Sequence, residues 1–382
     1  MAGAFYYGSN AVSNSFAADY YLGRFIDDKA KEDVISNLKN SNRFGLSFDA
    51  FVSYTRRNDS VFSLRNSSYT FSIGTHYHIE SRFNEDAFKL YFKGNKGFAG
   101  KTANVSDFTY NQLSWQYLNF TFGHEFKYGL NKYGYSAGIG FLKGQKLYRI
   151  ETDRANIFTE EIGSYLDLDA HIKINQSDSG KNSLTDFNGA GFELNFSGFW
   201  TDKKRNTLSF SIDNMGMIFW NGNSAFVEAD TSLRFEGIDI SYLLDFRDTI
   251  RKTISVDSAL VQPYLDKRVY KSYTSMLPSL IHVNYQYILR PGRIDAEAGI
   301  NYLIFSEAIP QEYIRINYTL QQRHRMSLMM RYGGYSAFQA GLAYKLWFLD
   351  RWLFTIRGEL GWNDNFMATA YQATFLSLSA YF

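Results

Sequence analysis

The most constraining feature of the sequence is the alternation of its last part, residues 326–382, where apolar side chains take every second position. In one segment the apolar series is Phe338, Ala340, Leu342, Tyr344, Leu346 and Phe348, and the intervening series contains Gln339, Gly341 and Lys345. A period of two is typical of a β-strand whose two faces lie in different environments. The turns between segments are short or contain Gly and Asn, so this part of the chain predicts four consecutive antiparallel strands.

The composition favours a membrane β-barrel over a helical membrane protein. The chain is 45% hydrophobic and 18% aromatic, but its mean hydropathy is only −0.31. A helix that crosses a bilayer needs about 20 consecutive apolar residues, and no such run is present. A barrel exposes only alternate residues to lipid and pairs every backbone group. The sequence therefore predicts an all-β fold, a transmembrane antiparallel β-barrel.

The number of strands follows from counting segments with period two. Two or three precede residue 113, and thirteen follow it, at 113–126, 134–142, 165–174, 189–200, 207–219, 230–243, 280–289, 294–305, 313–320, 326–332, 338–348, 352–362 and 370–382. Single-chain bacterial barrels have an even number of strands. We expect about 14 strands, with 16 as the second choice.

Two parts of the chain do not fit this pattern. Residues 1–42 form an N-terminal segment with a short helix that Asp27 can cap. We expect this segment to plug the lumen, to cover the periplasmic mouth or to be a solvated helix, and the barrel to span 43–382. Residues 84–94 fit either a strand or a short helix. Residues 245–276 lack strand periodicity and predict a long loop that carries a helix.

Several functional classes are disfavoured. The net charge of +2 argues against a nucleic-acid partner, and the absence of Cys removes thiol chemistry. His76 and His78 lie two apart on a strand, but a zinc site needs three or four ligands. No nucleophile motif such as G-x-S-x-G is present. We predict no metal, no cofactor and no enzymatic activity. No signal peptide is visible after Met1, so we expect a mature or truncated chain, or a start site placed too late.

The C-terminus of such barrels is periplasmic, and periplasmic turns are the short ones. Counting strands back from the C-terminus assigns Trp347, Trp352 and Trp220 to the periplasmic boundary, and Trp362 and Trp200 to the outer boundary. Tryptophan at both rims is typical of an interfacial aromatic girdle.

The polar face of the last strands carries a group of charges, which consists of Arg315, Arg331, Lys345, Arg357 and Glu359. Antiparallel neighbours can bring these side chains together in the lumen. Two interpretations stay open: an anion-favouring constriction or ligand site, and the solvated or mutually paired charges that any barrel interior needs.

Two stretches resemble a Bacteroidota family of outer-membrane barrels of unknown function, itself similar to FadL-type barrels and the PorV shuttle protein of type 9 secretion. The first consists of residues 187–194, which include Gly189-Ala190-Gly191-Phe192-Glu193-Leu194, followed by residues 208–220. The second consists of residues 273–278, Tyr273-Thr274-Ser275-Met276-Leu277-Pro278. Residues 82–100 are similar to that family too. The last strand, with Leu376, Leu378 and Phe382, resembles the signal read by the barrel-assembly machinery, although Ala380 stands where an aromatic residue is usual.

The resemblance implies the outer membrane of a Gram-negative bacterium of the Bacteroidota, and lipids and the assembly machinery as partners. It implies FadL-like transport or shuttling of a small or hydrophobic solute. The alternative is a structural subunit of a larger outer-membrane complex, such as type 9 secretion or surface-protein assembly machinery, in contact with other outer-membrane or periplasmic proteins.

Overall fold

The structure, a computed structural model, describes residues 1–61, 64–178, 180, 185–236, 268–348, 351–362 and 369–380. These residues form nineteen strands, three α-helices and one 3-10 turn. In chain order they are β1 (Ala2–Ser9), α1 (Asn14–Tyr21), α2 (Asp28–Ile35), β2 (Asn42–Val61), β3 (Leu64–Phe83), α3 (Glu85–Lys93), the 3-10 turn Asn95–Phe98, β4 (Lys101–Asn104), β5 (Phe108–Tyr128), β6 (Asn131–Thr159), β7 (Leu166–Gln176), β8 (Gly189–Thr201), β9 (Thr207–Trp220), β10 (Ala225–Phe235), β11 (Val269–Tyr270), β12 (Tyr273–Met276), β13 (Ser279–Arg290), β14 (Ile294–Ile304), β15 (Ile309–Leu320), β16 (His324–Gly334), β17 (Phe338–Phe348), β18 (Trp352–Trp362) and β19 (Thr369–Ala380).

Fourteen of these strands form a closed antiparallel barrel, which confirms the predicted fold class and strand number. The wall consists of β1, β2, β3, β5, β6, β8, β9 and β13–β19, each paired with its neighbours. The ring closes because β1 lies between β2 and β19, with Ala2 opposite Phe51 on one side and Ser377 on the other. A closed ring leaves no strand edge unpaired.

The predicted boundary between residues 42 and 43 differs from the structure, since the barrel wall begins at Ala2. Strand β1 has the sequence Ala-Gly-Ala-Phe-Tyr-Tyr-Gly-Ser. Small and aromatic residues occur on both of its faces, so its alternation is weak in the sequence. Its pairing with β2 and β19 overrides that weak local signal.

An even number of antiparallel strands brings both chain ends to one end of the barrel. We call the end with Ala2 and Ala380 the terminal end, and the opposite end the loop end. Connections at the terminal end are short, at residues 129–130, 202–206, 291–293 and 321–323. The three helices and the remaining strands lie in connections at the loop end.

Strands β4, β7, β10 and β11 form a side sheet with the second half of β6. The 29-residue β6 pairs with β8 through its first half and with β7 through its second half, and β10 pairs with β7. Salt bridges cover this sheet: Arg154 lies 3.1 Å from Asp169 and 2.7 Å from Asp230. A hydrogen bond from Arg234 lowers the pKa of the Asp167 carboxyl.

The side sheet corrects two of the predicted wall strands, 165–174 and 230–243. Residues 166–176 and 225–235 are strands, but they belong to β7 and β10, outside the wall. Residues 237–243 lie outside the described residues. Most of the predicted loop at 245–276 does too, although β11 and β12 fall within its end. The total of 14 is still correct because β1 joins the wall.

Helices α1, α2 and α3 lie against the outward face of the wall at the loop end. Their apolar core contains Phe16, Val34 and Phe88, together with Tyr7 and Phe83 of the wall. Tyr7 has the same strand phase as Phe5, which is 38% exposed on the outward face. The helices therefore neither plug the lumen nor cover the terminal end, contrary to two of the positions considered for residues 1–42.

Each helix begins at a side-chain cap. The Asp27 carboxylate accepts a hydrogen bond from the Ala30 N–H at 2.7 Å, as predicted. Ser13 caps α1, and Asn84 caps α3, which settles the ambiguous residues 84–94 as helix. Among the described residues, none of the helices has the length and apolar character that a membrane crossing needs.

Closure of the ring between its first and last strands is directly testable. Phe5 lies opposite Thr374, and directly opposed residues have Cβ atoms about 4.5–5.5 Å apart. We expect the double variant Phe5→Cys/Thr374→Cys to form a disulfide on mild oxidation, seen as a mobility shift on a non-reducing gel. The chain has no other Cys. The control Phe5→Cys/Leu378→Cys, four residues out of register, should not cross-link, and equal cross-linking of both pairs would contradict the closure.

Candidate functional site

Alternate residues of the wall strands face the lumen. On β15, Ile314 and Ile316 are 57% and 51% exposed on the outward face, while Tyr313 and Asn317, which flank this pair, are buried. The inward series is mostly polar. The lumen is therefore the candidate functional site.

A buried hydrogen-bond network centred on Glu80 crosses the lumen at the loop end. Its carboxylate accepts hydrogen bonds from the Tyr335 hydroxyl at 2.5 Å, the Glu307 N–H at 2.8 Å and the Asn111 amide at 3.2 Å. Tyr335 and Glu307 belong to the short β16–β17 and β14–β15 loops, whereas Glu80 is on β3, across the ring. The two loops thus reach over the lumen to the facing wall.

The Tyr335 ring fits because its neighbour on β2 is Gly45. A Cβ atom at Gly45 would overlap that ring. Tyr335 also lies 5.9 Å from the ring of Tyr6, which lies 5.3 Å from that of Tyr371. The Tyr371 hydroxyl donates to Glu359 at 3.0 Å. Buried side chains therefore link Glu80 to Glu359 across the loop end.

The other half of the loop-end lumen is filled by apolar side chains. These are Leu113, Trp115, Leu142, Leu147, Ile218, Trp220 and Leu277, all buried. The Trp220 indole donates to the Ser275 hydroxyl at 2.8 Å, and His76 packs on Trp115 with ring centroids 4.4 Å apart. Among the described residues, side chains of the wall and of the segment 273–277, together with the two short loops, fill the lumen here.

Toward the terminal end, strands β14–β18 carry a group of charges that we call the basic wall. It consists of Arg315, Arg325, Arg331, Lys345 and Arg357, with the carboxylates Asp295, Glu297 and Glu359. The four predicted basic residues and Glu359 do lie together. Arg325, Asp295 and Glu297 were missed, although they occupy the same polar phase of β14 and β16.

The basic wall has more cations than carboxylates. Arg325 lies 3.0 Å from Asp295, and Arg315 lies 3.4 Å from Glu297. Glu359 is shared by Arg331 at 3.5 Å and Arg357 at 3.0 Å.

No carboxylate of the described residues pairs with Lys345, which lies directly opposite Arg325 and is exposed to the lumen. Like charges on directly opposed residues are destabilising. The basic wall therefore presents an excess of positive charge to the lumen.

The tryptophans do not form one girdle. Trp352 and Trp362 take the outward phase of β18, near the terminal and loop ends respectively, and Trp347 takes the lumen phase of β17. Trp200 is outward but at the terminal end, and Trp220 is buried in the lumen at the loop end. The two predicted ends of Trp200 and Trp220 are thus exchanged. Counting residues 230–243 as a wall strand inverted the direction of β8 and β9.

The predicted assembly signal lies on the last strand. Leu376 and Leu378 are on the outward face, 46% and 39% exposed. Phe382 lies outside the described residues.

Ser47, His78 and Glu80 form a chain that has the order of a hydrolase triad. The Ser47 hydroxyl is 2.7 Å from Nδ1 of His78, and Nε2 of His78 is 3.4 Å from Glu80. However, Glu80 already accepts three other hydrogen bonds, and His78 and Glu80 are buried beside Tyr335. These contacts help to hold the loop end closed, and this structural role does not require Ser47, His78 or Glu80 to be catalytic. No group of three or more metal-ligating side chains was found among the described residues.

These features define a class: a closed fourteen-stranded antiparallel barrel, filled at its loop end and lined with basic residues toward its terminal end. Residues 2–350 match the model of a family of unknown function, DUF5723, so the chain belongs to that family. No curated protein matches the sequence.

Three solved barrels are similar to this chain. The TodX deltaS2S3 mutant, a monoaromatic hydrocarbon channel, is 8% identical, with 100% of this chain and 89% of that chain covered and a TM-score of 0.45. The P. putida toluene transporter TodX is 9% identical, with 100% and 89% covered and a TM-score of 0.40. Outer membrane phospholipase A from Escherichia coli is 8% identical, with 99% and 91% covered and a TM-score of 0.26. At identities and scores this low, no ligand or activity transfers to this chain.

The triad-like contacts give a clear chemical test. We expect no covalent adduct at Ser47 after incubation of the detergent-solubilised protein with a fluorophosphonate probe, because the serine lacks a free, accessible base. Intact-protein mass spectrometry measures this, with Ser47→Ala as the control. An adduct on the wild type that is absent from Ser47→Ala would instead identify a nucleophilic serine.

Proposed function

We propose that this protein is a non-enzymatic outer-membrane channel that admits a small anionic solute to its lumen and is closed at the loop end in this structure. The termini would face the periplasm and the loop end the cell exterior.

The outward surface supports residence in a membrane. Large apolar side chains are exposed all around the ring, among them Ile73, Phe141, Phe210, Ile314 and Leu342. Soluble proteins rarely expose contiguous apolar surfaces of this extent. A closed strand ring with an apolar exterior and a polar interior fits an outer-membrane barrel.

The observation that carries the proposal is the excess of cations on the basic wall. Arg331 and Arg357 share one carboxylate, and Lys345 faces the lumen beside Arg325. An anion near Lys345 would relieve the repulsion between these like charges. Rings of basic side chains favour anions in pores.

Passage through the lumen requires the loop-end contacts to open. Tyr335 and Glu307 lie on two short loops, and each donates a hydrogen bond to Glu80. Displacement of these two loops would therefore open the half of the loop-end lumen that the Glu80 network closes. Loop motions of this kind are well-known gates.

The resemblance to FadL-type barrels suggests a small or hydrophobic solute, and the charged lumen favours the small anionic one. A Bacteroidota source stays a prediction from that resemblance. The basic wall would also be compatible with shuttling of a bound anion rather than free flow.

A second candidate function is a structural subunit of a larger outer-membrane complex, as in type 9 secretion or surface-protein assembly. The side sheet favours it, because β6 continues beyond the wall to support four further strands. Such an extension is not needed for a channel. Among the described residues, 227–235 of β10 pair on one side only, with β7, and so offer an edge to which a partner strand can add.

The channel is tested by its ion selectivity. We expect Tyr335→Ala to raise the current across planar bilayers and Lys345→Gln, in that background, to lower the anion-to-cation permeability ratio. At about 8 Å from one positive charge, an anion gains and a cation loses about 0.5–1 kcal/mol at an effective dielectric constant of about 40–80. The permeability ratio depends on both energies, so it should fall by a factor of about 6 to 30.

Two controls accompany this measurement. Lys345→Arg keeps the charge and should keep the selectivity, and Lys203→Gln removes an exposed charge from the turn between β8 and β9. Equal ratios for Lys345→Gln and Lys203→Gln would contradict the proposal, as would an absence of current in Tyr335→Ala.

The second candidate predicts a stable complex. Purified from native membranes in mild detergent, the protein should then copurify with a defined partner, detected by mass spectrometry. The variant Arg154→Ala/Arg234→Ala removes three of the salt bridges of the side sheet and should lose that partner while the barrel stays folded. Migration of the wild type as a lone barrel would exclude this function.

A further inference from the structure

The outward face of the wall has a groove that the channel function does not use. It has a volume of about 880 Å³ and crosses β19, β1, β2, β3, β5 and β6. Gly3, Ala50 and Thr75 lie side by side at its floor, since each is paired with the next across neighbouring strands. Small side chains in one row create the depression.

The edge of the groove nearer the terminal end is apolar. It is formed by Val52, Ile73, Leu118 and Phe141, and Leu376, Leu378 and Phe354 extend it at β19 and β18. Six strands about 4.8 Å apart give a groove about 24 Å long. Because barrel strands are tilted by about 35–45°, a groove across them is inclined to the membrane and can take an extended acyl chain.

The other end of the groove is polar and positively charged. The floor continues from Thr75 to Gln116 and Lys143, and Lys146 is the next outward residue toward the loop end. Lys143 therefore marks the change from apolar to polar residues on the outward face of β6. Lysines are effective ligands for phosphate.

Above the lysines, the outward face is lined by tyrosines and amides. Gln112 donates to the Tyr77 hydroxyl at 2.7 Å, and the rings of Tyr110 and Tyr148 lie 6.0 Å apart. Tyrosine combines an apolar ring with a polar tip, which suits the boundary between lipid and water. Their rings and hydroxyls can contact the faces and hydroxyls of a sugar.

Helices α1 and α3 overhang this surface and expose aromatic side chains beside it. Tyr21 of α1, Phe25 in the connection after α1, and Tyr91 of α3 are 50%, 88% and 67% exposed, and the hydroxyls of Tyr20 and Tyr91 lie 2.6 Å apart. Exposed aromatic residues that continue an apolar membrane-facing band belong at the headgroup level. The occupant must therefore be an amphiphile of the leaflet at the loop end.

We propose that this groove and the surface above it bind one phosphorylated glycolipid of the outer leaflet. An acyl chain lies over Gly3, Ala50 and Thr75, a phosphate group contacts Lys143 and Lys146, and the sugar contacts the tyrosines under α1 and α3. The site rests on the outer-membrane location and the orientation given under the proposed function, and it is independent of any flow through the lumen.

Native mass spectrometry of the detergent-purified full chain tests the site, with lipid A, phosphatidylglycerol and phosphatidylcholine as probes. We expect one lipid A molecule per barrel and about tenfold weaker binding of the other two. Gly3→Leu fills the groove, and because a Cβ atom at Gly3 meets only the Asp49 carbonyl oxygen at 3.8 Å, the wall is not strained. It should weaken lipid A binding about tenfold.

Gly358→Leu is the matched control. Gly358 also faces outward, on β18, and a Cβ atom there meets nothing within 4 Å, but it does not line the groove. Lys143→Gln/Lys146→Gln should lower binding of lipid A and leave that of phosphatidylcholine unchanged, whereas Lys203→Gln should change neither.

Three results would overturn the proposal. They are equal lipid A binding by Gly3→Leu and Gly358→Leu, binding of phosphatidylglycerol as tight as that of lipid A, and a lipid-free dimer that Gly3→Leu dissociates. The last would identify a second copy of the chain as the occupant. Neither conductance nor selectivity enters these measurements, so their outcome is independent of whether the protein is a channel.

Discussion

The pairing of β1 with β19 is the interaction on which the rest of the structure depends. A strand ring in a bilayer cannot leave an edge of unpaired N–H and C=O groups, so the first eight-residue strand must join the wall. With an even number of strands, both termini then lie at one end. The connections at the terminal end are short turns. The longer connections, which contain the helices, the side sheet and the lumen-crossing loops, lie at the loop end.

The lumen of a fourteen-stranded barrel must be filled by side chains or loops, by water, or by both. In this chain the loop end is filled by side chains and loops, and the polar lumen toward the terminal end is open to water. Trp115 and Trp220 fill one half of the loop end, and the contacts of Glu80 fill the other. A buried carboxylate is tolerated only with donors, and Glu80 has a hydroxyl, an amide and a backbone N–H. Leaving one such group unsatisfied costs about 1–3 kcal/mol, so the closed loop end is a stable arrangement rather than accidental packing.

Period-two alternation was sufficient to predict a barrel and most of its strands, because inward and outward residues differ in polarity along β13–β19. It could not say which strands belong to the wall. β7 and β10 alternate as well, because the side sheet also has two faces in different environments. Only the strand pairing distinguishes β7 and β10 from the wall strands. The misassigned β10 alone exchanged the ends of Trp200 and Trp220.

The basic wall was predicted from the polar phase of β15–β18, whereas the Glu80 network was not. Arg315 and Lys345 lie on the same face as the charged residues of the adjacent strands. Strands that are consecutive in the sequence are also adjacent in this part of the barrel, so their shared face can be predicted from the sequence. Tyr335 and Glu80 are 255 residues apart and meet only because the ring brings β16 opposite β3. Contacts across the lumen join residues that are distant in the sequence and produce no local periodic pattern, so the sequence does not predict them.

The closed loop end and the basic wall are not separate, because Glu359 belongs to both. One of its oxygens accepts from Tyr371, which packs on Tyr6 and through it on Tyr335, while the other lies near Arg331 and Arg357. Gly341 leaves the space that the Glu359 side chain occupies. Residues in one network respond jointly to substitution. A change in how the two arginines are paired must therefore alter the support of the aromatic side chains above them, and opening of the loop end must alter the charge that a solute meets below.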